Sequence, residues 1–153
     1  LEQDGKLATV ITQNIDCLHE MAGSKNVLKL HGTVDSNTCI ICNKKYNMEE
    51  FLEICETENI PHCSKCGGII KPDVTLYEEV PDPDTFRKAI NEISRADTLI
   101  IGGTSLIVYP AASLVQYFQG KNLVLINKSK TEQDNFANLV IHESIGEIFK
   151  NLK

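Results

Sequence analysis

Two close cysteine pairs, Cys39-x-x-Cys42 and Cys63-x-x-Cys66, separated by 20 residues, constrain this chain more than any other feature. Each pair makes a tight knuckle, and two knuckles at this spacing match a tetrahedral four-thiolate zinc site with sulfurs at roughly 2.3 Å from one ion. Four protein ligands leave no open position, so such a zinc is structural. Gly67-Gly68, directly after the second pair, gives the backbone the freedom a knuckle needs. A redox dithiol is the alternative reading of the same pairs. His62, beside Cys63, reads as a surface loop residue, and Cys17 and Cys55, outside the pairs, read as small buried groups.

The 153 residues are 42% hydrophobic and 24% charged, enough for a packed core without disulfides. In a reducing compartment such pairs serve more often as metal ligands than as disulfides, and a cytoplasmic location is expected. No apolar run approaches the roughly 18 residues of a membrane span, and residues 1–6 lack the layout of a signal peptide, so no membrane partner is expected. The chain opens on Leu1, directly before an expected strand, and is read as an internal piece of a longer protein. A formal net charge of −6 argues against a nucleic-acid binder and is compatible with basic protein segments as partners.

Short β-branched runs alternate with amphipathic stretches, the pattern of an α/β fold with a mostly parallel sheet. Strands are expected at 8–11, 27–30, 98–101, 123–126 and 139–141. Helices are expected at 17–22, from Pro83 or Asp84 to Ala96, from Pro110 to about Gly120, and from a Ser144 cap through Leu152. Between Cys39 and Cys66 the alternation stops, leaving one helix near 48–55. The cysteine-bearing segment is therefore an insertion in a single α/β unit.

Leu99-Ile100-Ile101 runs into Gly102-Gly103-Thr104-Ser105, placing small residues and hydroxyls at the carboxyl end of a parallel strand, where doubly wound sheets bind ligands. Many strand-to-helix turns carry glycine for packing alone. Asn127 ends the next strand and either faces the same crevice or terminates the strand in a turn.

Thr12-Gln13-Asn14-Ile15-Asp16, then Leu18-His19, Ala22-Gly23 and His31-Gly32, continue through the paired cysteines to Gly103-Thr104-Ser105-Leu106, Val108, Pro110-Ala111-Ala112 and Ile126-Asn127. This ordered series resembles the sirtuin family. The resemblance implies a Rossmann-like NAD-binding domain formed by 1–35 and 71–153, a small zinc-binding domain at 36–70, and NAD bound with an acyl-lysine peptide between them. It implies that Gln13, Asn14, Ile15 and Asp16 line the ribose and nicotinamide pocket, with Asn14 and Asp16 reading the carboxamide, and that His31 is catalytic. Gly103, Thr104, Ser105 and Asn127 match contacts to the adenosine half, and Ser144-Ile145 approach the adenine.

The implied reaction removes an acyl group, in the simplest case acetyl, from protein lysine. The acyl oxygen attacks the anomeric carbon, nicotinamide leaves, and a base takes a ribose hydroxyl proton so that this oxygen attacks the imidate. Imidazole suits that task. Products are free lysine, nicotinamide and O-acyl-ADP-ribose. The other readings are a sirtuin-like ADP-ribosyltransferase, which shares the nicotinamide cleavage, and a non-enzymatic zinc-stapled interaction scaffold.

The family's substrate-pairing segment, of the type Pro-x-Val-Val-x-Phe-Gly-Glu, is matched here by Pro72-Asp73-Val74-Thr75-Leu76-Tyr77-Glu78-Glu79, with Val74, Tyr77 and Glu79 as substrate contacts. Glu78 stands where that pattern has glycine, which bears on peptide preference. The family's first strand, its glycine-rich phosphate loop and its mobile cofactor loop are expected upstream of Leu1. On that expectation this chain alone binds NAD poorly and turns over little.

Overall fold

The computed structural model describes residues 1–151; the expected helix residue Leu152 lies outside them. The chain divides into two compact units, Leu1–Phe86 and Arg87–Lys153. Among the described residues no helix is long and apolar enough to cross a membrane.

The first unit opens with a parallel pair, β1 (Val10–Thr12) beside β2 (Val27–Lys29), joined through a single helical turn, α1 (Leu18–Met21). β1 begins two residues later than its hydrophobicity suggests. The Asn26 side chain takes the Ala8 carbonyl and the Thr9 hydroxyl, so residues 8 and 9 bond to a side chain instead of a ladder. After β2 comes an antiparallel sheet of order β4-β3-β5, made of β3 (Gly32–Cys39), β4 (Lys45–Asn47) and β5 (Ile70–Val74). These strands frame a segment expected to hold only a helix. β3, Gly-Thr-Val-Asp-Ser-Asn-Thr-Cys, shows no apolar alternation to announce it, and its deepest side chains are Asn37 and Cys39.

The expected helix is there as α2 (Met48–Thr57), started by a reciprocal cap in which Asn47 and Glu50 each bond the other's backbone N–H. Phe51 and Ile54, three apart and so on one face, pack on the buried cluster Cys39, Tyr46, Cys63 and Ile70. Cys55, one position on, faces solvent, which corrects its reading as a buried group. Cys17 is half-buried.

α3 (Pro83–Arg95) begins in the first unit, where Asp82 accepts the Thr85 N–H and hydroxyl, and continues into the second. In the second unit its Ala89 and Ile93, four residues apart, are buried. Three parallel strands follow in the order β6-β7-β8: β6 (Thr98–Gly102), β7 (Asn122–Ile126) and β8 (Leu139–Ile141). Their register aligns Gly102, Ile126 and Ile141, so all three carboxyl ends lie level. The helix expected from Pro110 is a 3-10 helix, Ala111–Tyr117, that ends three residues before Gly120. Both the N–H and the hydroxyl of Ser113 bond the Pro110 carbonyl, closing the tighter turn. A second 3-10 helix, Glu132–Phe136, has no hydrophobic signal and is set by a Thr131/Asp134 cap. Ser144 does occupy the cap position of α4 (Ile145–Lys150), but its hydroxyl makes no capping bond. The mixed α/β architecture with parallel sheets is the expected fold class.

Candidate functional site

The ends of β1 and β2 bring two of the expected residues into contact. Thr12 pairs with Lys29, the Leu30 N–H bonds the Thr12 carbonyl, and one step further the His31 ring nitrogen Nδ1 lies 3.0 Å from the Gln13 carbonyl. A carbonyl only accepts, so Nδ1 carries the hydrogen and the neutral ring keeps its lone pair on Nε2. His31 is half-buried, and its own carbonyl accepts the Thr75 N–H at 2.9 Å. Gly32 follows with φ of +77°, and a Cβ there would stand 2.0 Å from the Asp73 carbonyl oxygen, so only glycine lets β3 approach β5 at this point.

The rest of the turn is fixed by its own polar atoms. The Asn14 N–H bonds the Thr12 hydroxyl, the Ile15 carbonyl accepts the Val34 N–H, and the Asp16 carboxylate accepts the Leu18 N–H at the start of α1. Asn14 and Ile15 are exposed and Asp16 is half-buried.

In the second unit, an open recess of about 370 Å³ lies at the carboxyl ends of the parallel strands, lined by Gly103, Ile126, Asn127, Lys128, Glu143, Ser144 and Ile145. Four expected adenosine contacts, Gly103, Asn127, Ser144 and Ile145, therefore converge. The Gly103 N–H bonds the Ile126 carbonyl with φ of +65°, turning the chain away from β6. Asn127 donates its side-chain Nδ2 to the Ser129 carbonyl, which leaves its Oδ1 as an acceptor. Thr104 uses its hydroxyl on the Leu106 N–H, and neither it nor the exposed Ser105 lines the recess. Gly102, absent from the expected contacts, shapes the recess: a Cβ there would meet Ile145 Cδ1 at 2.1 Å. Lys128 and Glu143 were also missed, because nothing in their spacing sets them apart from surface charges.

The four paired cysteines do form one cluster, with all sulfurs within 4.8 Å of one another. Each knuckle is closed by the same bond, Asn43 N–H to the Cys39 carbonyl and Gly67 N–H to the Cys63 carbonyl, and both closing residues have positive φ, 58° and 73°. Gly68 is needed for room, since a Cβ would come within 3.0 Å of Cys39 Sγ. The Tyr46 hydroxyl donates to Cys63 Sγ at 3.1 Å and, with backbone N–H groups, holds that thiol down to about 6. Backbone N–H donors, Cys42's first among them, also lower Cys39. The Gly68 N–H draws Cys66 down, but hydrogen bonding with Cys42 and burial beside the other sulfurs outweigh it and push Cys66 up to about 12. Four sulfurs this close together, two from each backbone-closed knuckle, make a tetrahedral thiolate donor set, so the residues fit a structural zinc. His62 pairs with Glu58 at the surface, outside the cluster.

Comparison with known proteins decides the family. A profile of the Sir2 family matches residues 1–110. The chain belongs to the Sir2 family. A relative from Clostridium perfringens named NAD-dependent protein deacetylase is 60% identical over 149 residues, which are 97% of this chain and 60% of the relative. A solved structure titled "Sir2-p53 peptide-NAD+" superposes with a TM-score of 0.93 at 39% identity, covering 98% of this chain and 63% of that one. Another, "Sir2 bound to acetylated peptide", gives 0.93 and 39%, covering 98% and 64%. The chain thus spans about 60% of the length of the curated relative.

Within this Sir2 chain the expected substrate segment is split. Val74 pairs with Gly32 and, with Glu79, lines a second recess of about 680 Å³ in the first unit, whereas Tyr77 is 96% exposed and outside it. Neither recess has Asn14, Asp16 or His31 in its lining. Glu79 is well used: the Leu76 N–H and then Lys71 hold its carboxyl below the usual range. A further group that sequence reading missed is Lys29, bonded to Glu20 at 2.8 Å and to Cys17 Sγ at 3.2 Å. Burial works against its charge, but these partners raise its basicity.

Proposed function

We propose that the protein removes acyl groups, in the simplest case acetyl, from protein lysine at the expense of NAD, giving nicotinamide and O-acyl-ADP-ribose. NAD is a substrate, consumed in each turnover, and an acyl-lysine peptide is the second. The relatives' names and the titles of the similar structures support this reading, as does the residue chemistry.

The observation that carries it is the bond between His31 Nδ1 and the Gln13 carbonyl. Held in that tautomer, His31 offers Nε2 as the base that takes a ribose hydroxyl proton, and the imidazolium then formed keeps its Nδ1 bond. Asn14, whose backbone N–H is held by the Thr12 hydroxyl, and Asp16, whose carboxylate accepts the Leu18 N–H, supply amide and carboxylate groups to read the nicotinamide carboxamide, with Gln13 and Ile15 on the same turn. Gly103, Asn127, Ser144 and Ile145 take the adenosine portion, with Thr104 and Ser105 on the adjoining turn. Val74, Tyr77 and Glu79 contact the peptide. Zinc at Cys39, Cys42, Cys63 and Cys66 holds a small domain over 36–70, the remainder forms the NAD-binding domain, and the protein works in the cytoplasm.

The test is direct. Incubated with NAD and an acetyl-lysine peptide, a full-length version of the protein releases nicotinamide and O-acetyl-ADP-ribose, whereas the 153-residue chain alone turns over little. His31→Ala lowers turnover by about a hundredfold or more while the melting transition stays in place. Unchanged turnover in that variant refutes the assignment.

A further inference from the structure

We propose that Glu78 is a specificity residue that selects acyl-lysine peptides carrying Lys or Arg near the acylated lysine. The inference rests on the deacylase reading above and deepens it. Glu78 is the third residue of a turn closed by the Glu79 N–H on the Leu76 carbonyl, and its φ is +71°. That position selects glycine or asparagine, because a side chain there crowds its own backbone. A glutamate in this conformation carries a steric cost, and no hydrogen bond or ion pair of its side chain offsets it within the described residues. Its exposed carboxylate makes no hydrogen bond or ion pair there.

The neighbouring carboxylates are all engaged. Glu79 holds Lys71 and the Leu76 N–H, Asp73 holds Ser36 and lies 3.8 Å from Lys45, and Asp82 caps Thr85. Glu78 is left to act outward. It does so on a stretch, residues 72–86, that carries five acidic side chains and no Lys or Arg. It also follows β5, an edge strand of its three-stranded sheet, and sits between Tyr77 and Val80, which are 96% and 84% exposed. An edge strand accepts an extended peptide through its backbone, and the residues flanking the register set specificity. The surface next to this edge is apolar with one unpaired negative charge, which complements a peptide with a basic residue and repels an acidic one.

The experiment is fluorescence polarisation on the full chain with three labelled acetyl-lysine peptides of equal length, flanked by Arg, Ala or Glu. The Arg peptide is expected to bind about three- to fivefold tighter than the Ala peptide at low salt, the range for a partly exposed ion pair, with the gap closing as salt rises. Glu78→Gln and Glu78→Gly should both erase the gap and leave the Ala peptide's affinity unchanged. An Arg preference that survives in both variants overturns the proposal, as does Ala-peptide binding without any Arg preference in the parent chain. If none of the three peptides binds the parent chain, the deacylase reading falls together with this one. Binding of the Ala peptide alone tells the two failures apart.

Discussion

Gly32→Ala is expected to destabilise the first unit by about 2 kcal/mol, more than alanine does at a glycine with open space around it. The added methyl meets two obstacles. At φ of +77° an L side chain costs about 1–2 kcal/mol. The new Cβ would also stand 2.0 Å from the Asp73 carbonyl oxygen and 3.0 Å from its carbon, both backbone atoms of β5 that cannot rotate away. β3 and β5 must part at the Gly32–Val74 pair, which takes with it the bond from the Thr75 N–H to the His31 carbonyl, at about 1 kcal/mol per bond. Reduced freedom of the unfolded chain offsets about 0.4–1 kcal/mol of this. The assay is urea unfolding followed by circular dichroism. The control is Gly23→Ala, where φ is +101° but nothing lies within 4 Å of the new Cβ, so only the dihedral cost of about 1 kcal/mol remains. If Gly32→Ala loses no more stability than Gly23→Ala, the close approach that seats His31 is not a constraint and the account of that strand junction is wrong.

Stripping the metal with a chelator should loosen residues 39–70 while leaving the second unit's transition intact; hydrogen exchange that stays equally slow in β3 and β5 would count against a structural zinc. Tyr46→Phe removes the donor that lowers Cys63, so the pH at which metal is released should move upward, read by a chromophoric zinc indicator. In the metal-free protein, a Cys63 thiol at about 6 against about 8.5 unfolded stabilises the fold above the unfolded value, and that contribution disappears as pH falls through 6. Cys66, pushed up to about 12, contributes in the opposite sense, fully below about 8.5 and lost as pH rises through 12. Asn127→Ala should weaken ADP-ribose binding by about tenfold, measured calorimetrically, with little change in peptide affinity; an unchanged value would remove Asn127 from the nucleotide recess.

What sequence alone revealed followed from how locally each feature is encoded. The two cysteine pairs announce their cluster because a knuckle is a four-residue device, and Gly67 was legible for the same reason. The apolar runs read as strands at 98–101 and 123–126 announced two of the parallel strands, and with them the level carboxyl ends that gather Gly103, Asn127 and Ser144. β3 was not legible, because it pairs on both sides through its backbone while its side chains are mostly polar and it buries an asparagine. The 3-10 helices escaped because hydroxyl and carboxylate bonds set them, not apolar periodicity. Tyr46 was invisible as a partner of the cysteine cluster, since its role depends on a hydroxyl meeting a sulfur 17 residues further on.

The positions with positive φ tie these observations together. Gly32 lets β3 start directly after His31, Asn43 and Gly67 close the two cysteine knuckles, and Gly103 turns the chain at the recess that Asn127 lines. At each of these sites glycine or asparagine carries the left-handed conformation at small cost, as backbone sterics require. Glu78 and Leu106 break the pattern, placing side chains where the backbone disfavours them, at φ of 71° and 57°. Leu106 has an internal support, because its N–H is held by the Thr104 hydroxyl and its side chain is half-buried. Among the described residues Glu78 has no hydrogen-bond or ion-pair partner, and it is exposed. A strained residue with internal support belongs to the fold, whereas one without it points to something outside the fold. On that distinction Glu78→Gly should raise the chain's melting temperature and Leu106→Gly should not. Equal gains from both would mean that local backbone strain, and no ligand, accounts for the glutamate.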